Sequence, residues 1–297
     1  MPAFDYAEQQ RIIDEMRAKE LFFLGGLPKS GSTWLQIMLH AHPEVSCAGE
    51  GNFMTYLAPR LNEAMKKYNT YIAYKNHVVM QDLTAFPICN EQQFRFLFVS
   101  TVLLLMAASG KAREVGVVGE KTPDKLDHIA LVADLFPTAK FITAVRDPRD
   151  VAISAWFHNQ RLDAKGAAAK FPTLSAFVEH CARAWVDGMR RWDGVAAAAP
   201  ARCAFVRYED LLARPQVELT RLFEFLGVST APAMVDGCVA AGDFARLSGG
   251  RAPGVEDRGS LLRRGLPGDW RNHFSQSDDL ACRAIVGGAM ARYGYGG

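Results

Sequence analysis

Near the start of the chain, Gly26-Leu27-Pro28-Lys29-Ser30-Gly31-Ser32-Thr33 has the length and glycine spacing of a phosphate-gripping loop. It follows a short apolar run, Leu21–Gly25, and precedes helix-compatible residues, Ser32–Ala41. Backbone N–H groups of such a loop, with the start of the next helix, form an anion site. The lysine is the informative residue. A nucleoside triphosphatase carries it directly after the second glycine, where it reaches the β- and γ-phosphates beside a Mg²⁺ ion. Here Ser32 stands there, and Lys29 comes before that glycine. No clear Walker B carboxylate accompanies the loop. A P-loop kinase or hydrolase, a non-catalytic nucleotide-binding module and a chance Gly/Ser turn remain open on the loop alone.

Two further segments could hold a second anion. Arg146 ends an apolar run, Lys140–Val145, and Ser154 follows it by eight residues. Two helical turns return Ser154 to the side from which Arg146 approaches. A planar guanidinium and a hydroxyl then converge on one group. Nearer the C-terminus, Arg263-Arg264-Gly265 is followed by Gly268-Asp269-Trp270 in a stretch rich in Gly, Arg and Asp.

Taken in order, the displaced Lys29 loop, the Arg146–Ser154 segment and the Arg263–Trp270 segment resemble the PAPS-dependent sulfotransferase family over nearly the whole chain. The resemblance implies 3′-phosphoadenosine 5′-phosphosulfate (PAPS) as co-substrate, PAP as product and no metal requirement. It implies that Lys29, Ser30, Gly31, Ser32, Thr33 and Trp34 grip the 5′-phosphosulfate. Arg146, Ser154, Arg263, Arg264 and Gly265 would then take the 3′-phosphate. Where the family signature has lysine, this chain has Arg264, which keeps the charge but changes the geometry. Tyr208 and Phe244 occupy the places of adenine-packing aromatics, and aromatic faces suit a purine.

The acceptor side departs from one branch of that family. Members resembling the animal cytosolic enzymes use a histidine after Lys-Thr as base; here the segment reads Glu120-Lys121-Thr122-Pro123. The carbohydrate-type and many bacterial members use a glutamate about twenty residues beyond the loop lysine. Glu50 lies 21 beyond Lys29 and is the leading candidate, with Lys121 a second lysine near the transferring group and His77 the runner-up base.

Composition bounds the rest. Of 297 residues, 49% are hydrophobic and the net charge is +2, which permits a sizeable core and argues against a nucleic-acid partner. Six scattered cysteines form no C-x-x-C pair, so a zinc ribbon or redox dithiol is not indicated. The polar N-terminus is unlike a signal peptide, and the longest apolar run, Phe96–Ala108, is too short for a bilayer and reads as a buried core helix. A cytoplasmic protein without a membrane span, acting on a small-molecule acceptor, is expected; its oligomeric state is open.

Strands are expected at Leu21–Gly25, Val115–Val118, Lys140–Val145 and Ala204–Val206. Helices are expected at Ser32–Ala41, around Ile129–Phe136, and at Pro148–Phe157, Leu174–Trp192 and Val217–Leu226. Alternation of this kind predicts a single P-loop-like α/β domain over residues 1–297, its central parallel sheet flanked by helices on both faces. Segments Asn52–Phe94 and Asn159–Phe171, with Phe53, Tyr56, Tyr68, Tyr71, Tyr74 and Phe86, would shape an apolar acceptor pocket or pack in the core.

If Glu50 is the general base, Glu50→Gln lowers turnover about 10²–10⁴-fold. A near-wild-type rate in that variant, or a collapse in His77→Ala instead, would remove the assignment.

Overall fold

A computed structural model of the chain describes residues 5–295, the side chains of 123–125 excepted. Five parallel strands form one sheet: β1 (Glu20–Gly26), β2 (Val45–Cys47), β3 (Val117–Lys121), β4 (Lys140–Val145) and β5 (Cys203–Arg207), in the order β2-β3-β1-β4-β5. Early helices are α1 (Tyr6–Arg17), α2 (Ser32–Ala41), α3 (Ala58–Tyr74), α4 (Glu91–Ala107), α5 (Ile129–Leu135) and α6 (Pro148–Lys170). Later ones are α7 (Leu174–Ala198), α8 (Tyr208–Ala213), α9 (Pro215–Leu226), α10 (Pro232–Ala241), α11 (Phe244–Leu247) and α12 (Gln276–Arg292).

Both faces of the sheet are covered, and β1 shows why. Six of its seven residues are buried, with side chains alternating between faces. Leu21 and Phe23 join Phe141, Trp185 and Val286 under α4, α5, α7 and α12. Phe22 and Leu24 join Leu35, Leu39, Ile142 and Phe223 under α2, α9 and α10. The chain leaves β1 toward one sheet edge and β4 toward the other, so the crevice beyond their carboxyl ends lies at a change of winding direction. Ligands of open α/β sheets bind there.

Several sequence expectations are corrected. The edge strand β2 is too short, at three residues, to leave a periodic signal. The third strand begins at Val117 and runs on through Glu120 and Lys121, whose polar side chains are buried at its end. α6 extends beyond Phe157 to Lys170, with non-helical backbone at Asp163, and α7 extends beyond Trp192 to Ala198. The run Phe96–Ala108 falls within α4 and its C-cap but is not wholly core, because Phe96, Leu97 and Leu105 face outward. Of the aromatics in 52–94 named above, only Phe53 is buried; Tyr56, Tyr68, Tyr71, Tyr74 and Phe86 are exposed on and around α3, which buries no residue. Among the described residues no helix is long and apolar enough to cross a membrane.

Phe22 is fully buried on the central strand. Phe22→Ala should therefore cost about 3–5 kcal/mol of unfolding free energy, through lost burial and the cavity left behind. Urea denaturation with an unchanged slope would show it, and a loss below about 1 kcal/mol would mean that the site collapses freely.

Candidate functional site

The loop after β1 turns sharply. Lys29 has φ +72° and Gly31 φ +89°, both left-handed. A side chain at Gly31 would put its Cβ 2.6 Å from the Tyr208 ring, so only glycine lets the loop rest on that ring. α2 starts at Ser32 with Gly31 as a cap that has no side chain, which leaves the helix start open toward the crevice.

Beyond the strand ends lies a cavity of about 2110 Å³, its open mouth included. From the phosphate loop it is lined by Lys29, Gly31, Ser32, Thr33 and Trp34. Glu50, Arg146, Ser154 and Tyr208 line it from the loops after β2, β4 and β5 and from α6. Phe244, Arg263, Arg264 and Gly265 close it from the C-terminal side. Ser30 is buried beneath the loop rather than on the lining. Lys121 also lies beneath the surface, its side chain 1% exposed. His77 is not on the lining: its side chain is 81% exposed and pairs with Asp82 beyond α3. The expected acceptor segments contribute Asn159 alone to the wall; none of residues 52–94 lines it.

Glu120 and Lys121 at the end of β3, with Thr122 just after it, organise the loop that bears Glu50. The Glu120 carboxylate accepts from the Gly51 N–H at 2.8 Å and from the Thr122 hydroxyl at 2.6 Å, and Thr122 accepts from the Asn52 N–H at 3.2 Å. Gln36 of α2 donates to the Gly49 carbonyl at 3.0 Å. The loop bearing Glu50 is thus tied on both flanks. Between these ties the Lys121 ammonium contacts the Glu50 carboxylate and donates to Thr33 Oγ1 at 3.0 Å. Carboxylate and phosphate loop therefore sit as one unit.

Cations crowd the other side. Burial first, then Arg161, Arg146, Arg263 and Lys121, lower the Lys29 pKa to about 8. Arg146 lies over the Tyr208 ring, 4.4 Å from its centroid, and donates to the Lys29 carbonyl at 3.1 Å. Trp34 donates to the Gly242 carbonyl at 2.6 Å, and its ring meets Tyr208 edge-on. A Cβ on Gly265 (φ +73°) would fall 2.5 Å from the Phe244 ring, so that ring and the backbone of the Arg263–Gly265 turn pack directly together.

Arg263 and Arg264 both pair with Asp269, whose side chain is 3% exposed. Burial alone would raise its pKa. The hydrogen bond from Asn272 and the two guanidiniums outweigh that and hold it at about 2. The turn is fastened to α6 by residues to which the sequence assigned no role. The Asp150 carboxylate accepts from the backbone N–H groups of Gly268 at 2.5 Å and Trp270 at 3.1 Å. Arg149, held by Asp147 through two hydrogen bonds, lies 3.9 Å from the centroid of the Trp270 ring. His158 was missed altogether: it lines the cavity with Nδ1 3.5 Å from Lys29 Nζ. Its position four residues after Ser154, one turn along the helix, was the available signal.

Residues 22–232 match the sequence model of the Sulfotransferase family. The chain belongs to that family. Among curated sulfotransferases, protein-tyrosine sulfotransferase A of Caenorhabditis elegans is 26% identical over 213 residues, which cover 71% of this chain and 51% of that protein. The 3-alpha-hydroxysteroid sulfotransferase of Cavia porcellus is 25% identical over 198 residues, covering 60% of this chain and 67% of that protein. The chain spans about half the length of most of the tyrosine sulfotransferases it matches. In fold it is similar to mouse sulfotransferase SULT7A1 complexed with PAP (TM-score 0.59, 16% identity, 97% of this chain and 91% of that one). It is also similar to sulfotransferase STF9 from Mycobacterium avium (TM-score 0.56, 11% identity, 97% and 80%). The family match stops before the Arg263–Trp270 turn.

Asp150→Ala leaves two lid N–H donors without their acceptor, a loss of about 1–3 kcal/mol local to that turn. Limited trypsin should cut at Arg258, Arg263 or Arg264 several-fold faster than in the wild type. Equal cleavage rates would mean that Asp150 does not hold the turn.

Proposed function

We propose that the chain transfers a sulfuryl group from PAPS to a hydroxyl acceptor and releases PAP. One observation carries this reading: the cations Lys29, Arg146, Arg263 and Arg264 and the carboxylate Glu50 line a single cavity beyond the strand ends. The residues fit a doubly anionic nucleotide. The Nε groups of Arg146, Arg263 and Arg264, three residues of that lining, are buried with no hydrogen-bond partner among the described residues. Buried donors of this kind are costly unless something accepts from them. When bound, PAPS supplies the sulfuryl group and, in PAP, a stable leaving group.

The chain's own residues divide the work. Ser30 to Trp34 receive the 5′ end through the loop and the open start of α2, and Lys29 neutralises charge growing on the bridging oxygen. Arg146 and Ser154 take the 3′-phosphate, and Arg263, Arg264 and Gly265 close over it. Tyr208, Phe244 and Trp34 bound the purine. Glu50 accepts the acceptor's proton, while Lys121 keeps it oriented and joined to Thr33. The whole works as one domain, since a single sheet supports both cores and the site. Its similarity to tyrosine and hydroxysteroid sulfotransferases supports a hydroxyl acceptor.

Labelled PAPS incubated with phenols, tyrosine peptides, aliphatic alcohols and amines tests this directly. The expected result is a labelled sulfate ester on at least one hydroxyl compound. If PAP raises the melting temperature but no acceptor is labelled, the chain is a nucleotide-binding module. The pH profile adds a second check. With Lys29 at about 8 in the free protein, kcat/KM should fall above about pH 8 as the ammonium loses its proton. A profile flat to pH 10 would contradict the role given to Lys29.

A further inference from the structure

His158 sits one turn beyond Ser154 on α6 and shares the cavity lining with Lys29 and Glu50. Its Nδ1 lies 3.5 Å from Lys29 Nζ and 3.2 Å from Arg161 Nη2. Both neighbours can only donate: an ammonium has no lone pair to offer, and a guanidinium accepts nothing. An imidazole nitrogen met by two donors must present its own lone pair. Neutral His158 therefore carries its proton on Nε2.

We infer that His158 is a neutral positioning residue for Lys29. Its Nδ1 lone pair steadies the Lys29 ammonium at the cavity wall and also accepts from the exposed Arg161 guanidinium, and it does not take the acceptor's proton. The functional side of this inference rests on the sulfuryl-transfer reading above; the arrangement of the three side chains does not.

The need for such a residue follows from the charges. Lys29 is repelled by Arg161 from α6, Arg146 from the end of β4, Arg263 from the C-terminal turn and Lys121 from β3. Its backbone is left-handed, which is strained for a residue with a Cβ and limits where the side chain can go. A carboxylate beside it would hold the ammonium, but would also cancel the charge an incoming anion needs. A neutral lone pair holds it without cancelling anything, and at 3.5 Å the contact is long enough to yield when a stronger acceptor arrives.

The groups facing the imidazole agree. Lys29 from the loop and Arg161 from its own helix are cations, and burial and then these two push its pKa below the ordinary value. Arg146 and Arg263 add positive charge across the cavity, and the two carboxylates on this lining are engaged elsewhere, Glu50 by Lys121 and Asp243 by the Arg246 N–H. An imidazolium would stand between two cations, and with Nε2 protonated and Nδ1 occupied the ring has no lone pair left for an acceptor hydroxyl.

The test uses two variants of the full chain. His158→Leu removes the lone pair, and His158→Asn restores an amide oxygen near the place of Nδ1 without restoring a base. Expected is a fall in kcat of about 10–10²-fold in the leucine variant, the scale of a misplaced catalytic group, with a smaller change in KM. The asparagine variant should recover most of that loss and keep the acid limb of the wild-type pH profile. Equal collapse of both variants would make His158 the base and overturn the inference, as would a leucine variant at the wild-type rate.

A second readout needs no co-substrate. ¹⁵N spectra of the free protein should show His158 neutral at pH 7 with the proton on Nε2. A proton on Nδ1, or an imidazolium at pH 7, would also overturn it. If the wild-type chain moved no sulfate at all, the proposed function would fall while the ¹⁵N result would still decide the state of His158.

Discussion

Mutual repulsion among clustered cations is the constraint around which this site is arranged. Lys29 lies close enough to Arg161, Arg146, Arg263 and Lys121 for each to lower its pKa, and burial lowers it further. Each of four of these cations is steadied by a different device. Arg146 rests on the face of Tyr208, Lys121 is paired with Glu50, Arg263 shares Asp269 with Arg264, and Lys29 meets the lone pair of His158. The devices differ in how much charge they cancel. A carboxylate neutralises, whereas an aromatic face or an imidazole nitrogen steadies a cation and leaves its charge available. Of the four cations on the lining, Lys29 and Arg146 have the non-cancelling kind, whereas Arg263 and Arg264 share one carboxylate between two charges.

The sheet makes that concentration of charge tolerable. Parallel strands end on one rim, so the segments after β1, β3 and β4 meet without any being long. The two cores on either face of β1 anchor the rim. The local fastenings are side chains bonded to backbone: Glu120 and Thr122 hold the Glu50 loop, and Asp150 holds the turn carrying Arg263 and Arg264. Bonds of this type fix where a loop runs while leaving its outward side chains free for a ligand.

Much of the architecture was legible in the chain. The strand Lys140–Val145 and the helix Ser32–Ala41 stand where periodicity and the proline after the helix place them. The residues the resemblance assigns to the anion, Ser30 apart, lie on one cavity because the family order of motifs is also the order in which parallel strands deliver loops to a rim. Failures occurred where partners are distant in sequence or a segment is too short to show a period. The three-residue β2 gave no signal. The aromatics around α3 look like core or pocket residues by type, yet they project outward, because type alone says nothing about which neighbour covers a face. His77 was a reasonable candidate by residue type, but its helix carries it away from the cavity.

From the sequence alone follow the α/β class and the loop with its displaced lysine, and the family resemblance adds the expectation of Glu50 as base where Pro123 stands in place of a histidine. These are properties of local spacing and of residue order. Tertiary structure alone decided that Lys121 and Glu50 pair across 71 residues, that Asp150 holds a turn 118 residues away, and that His158 meets Lys29 across 129. The reason is physical. A residue's protonation and orientation depend on the donors and charges within a few ångströms, and chain folding, not spacing along the chain, sets which groups those are.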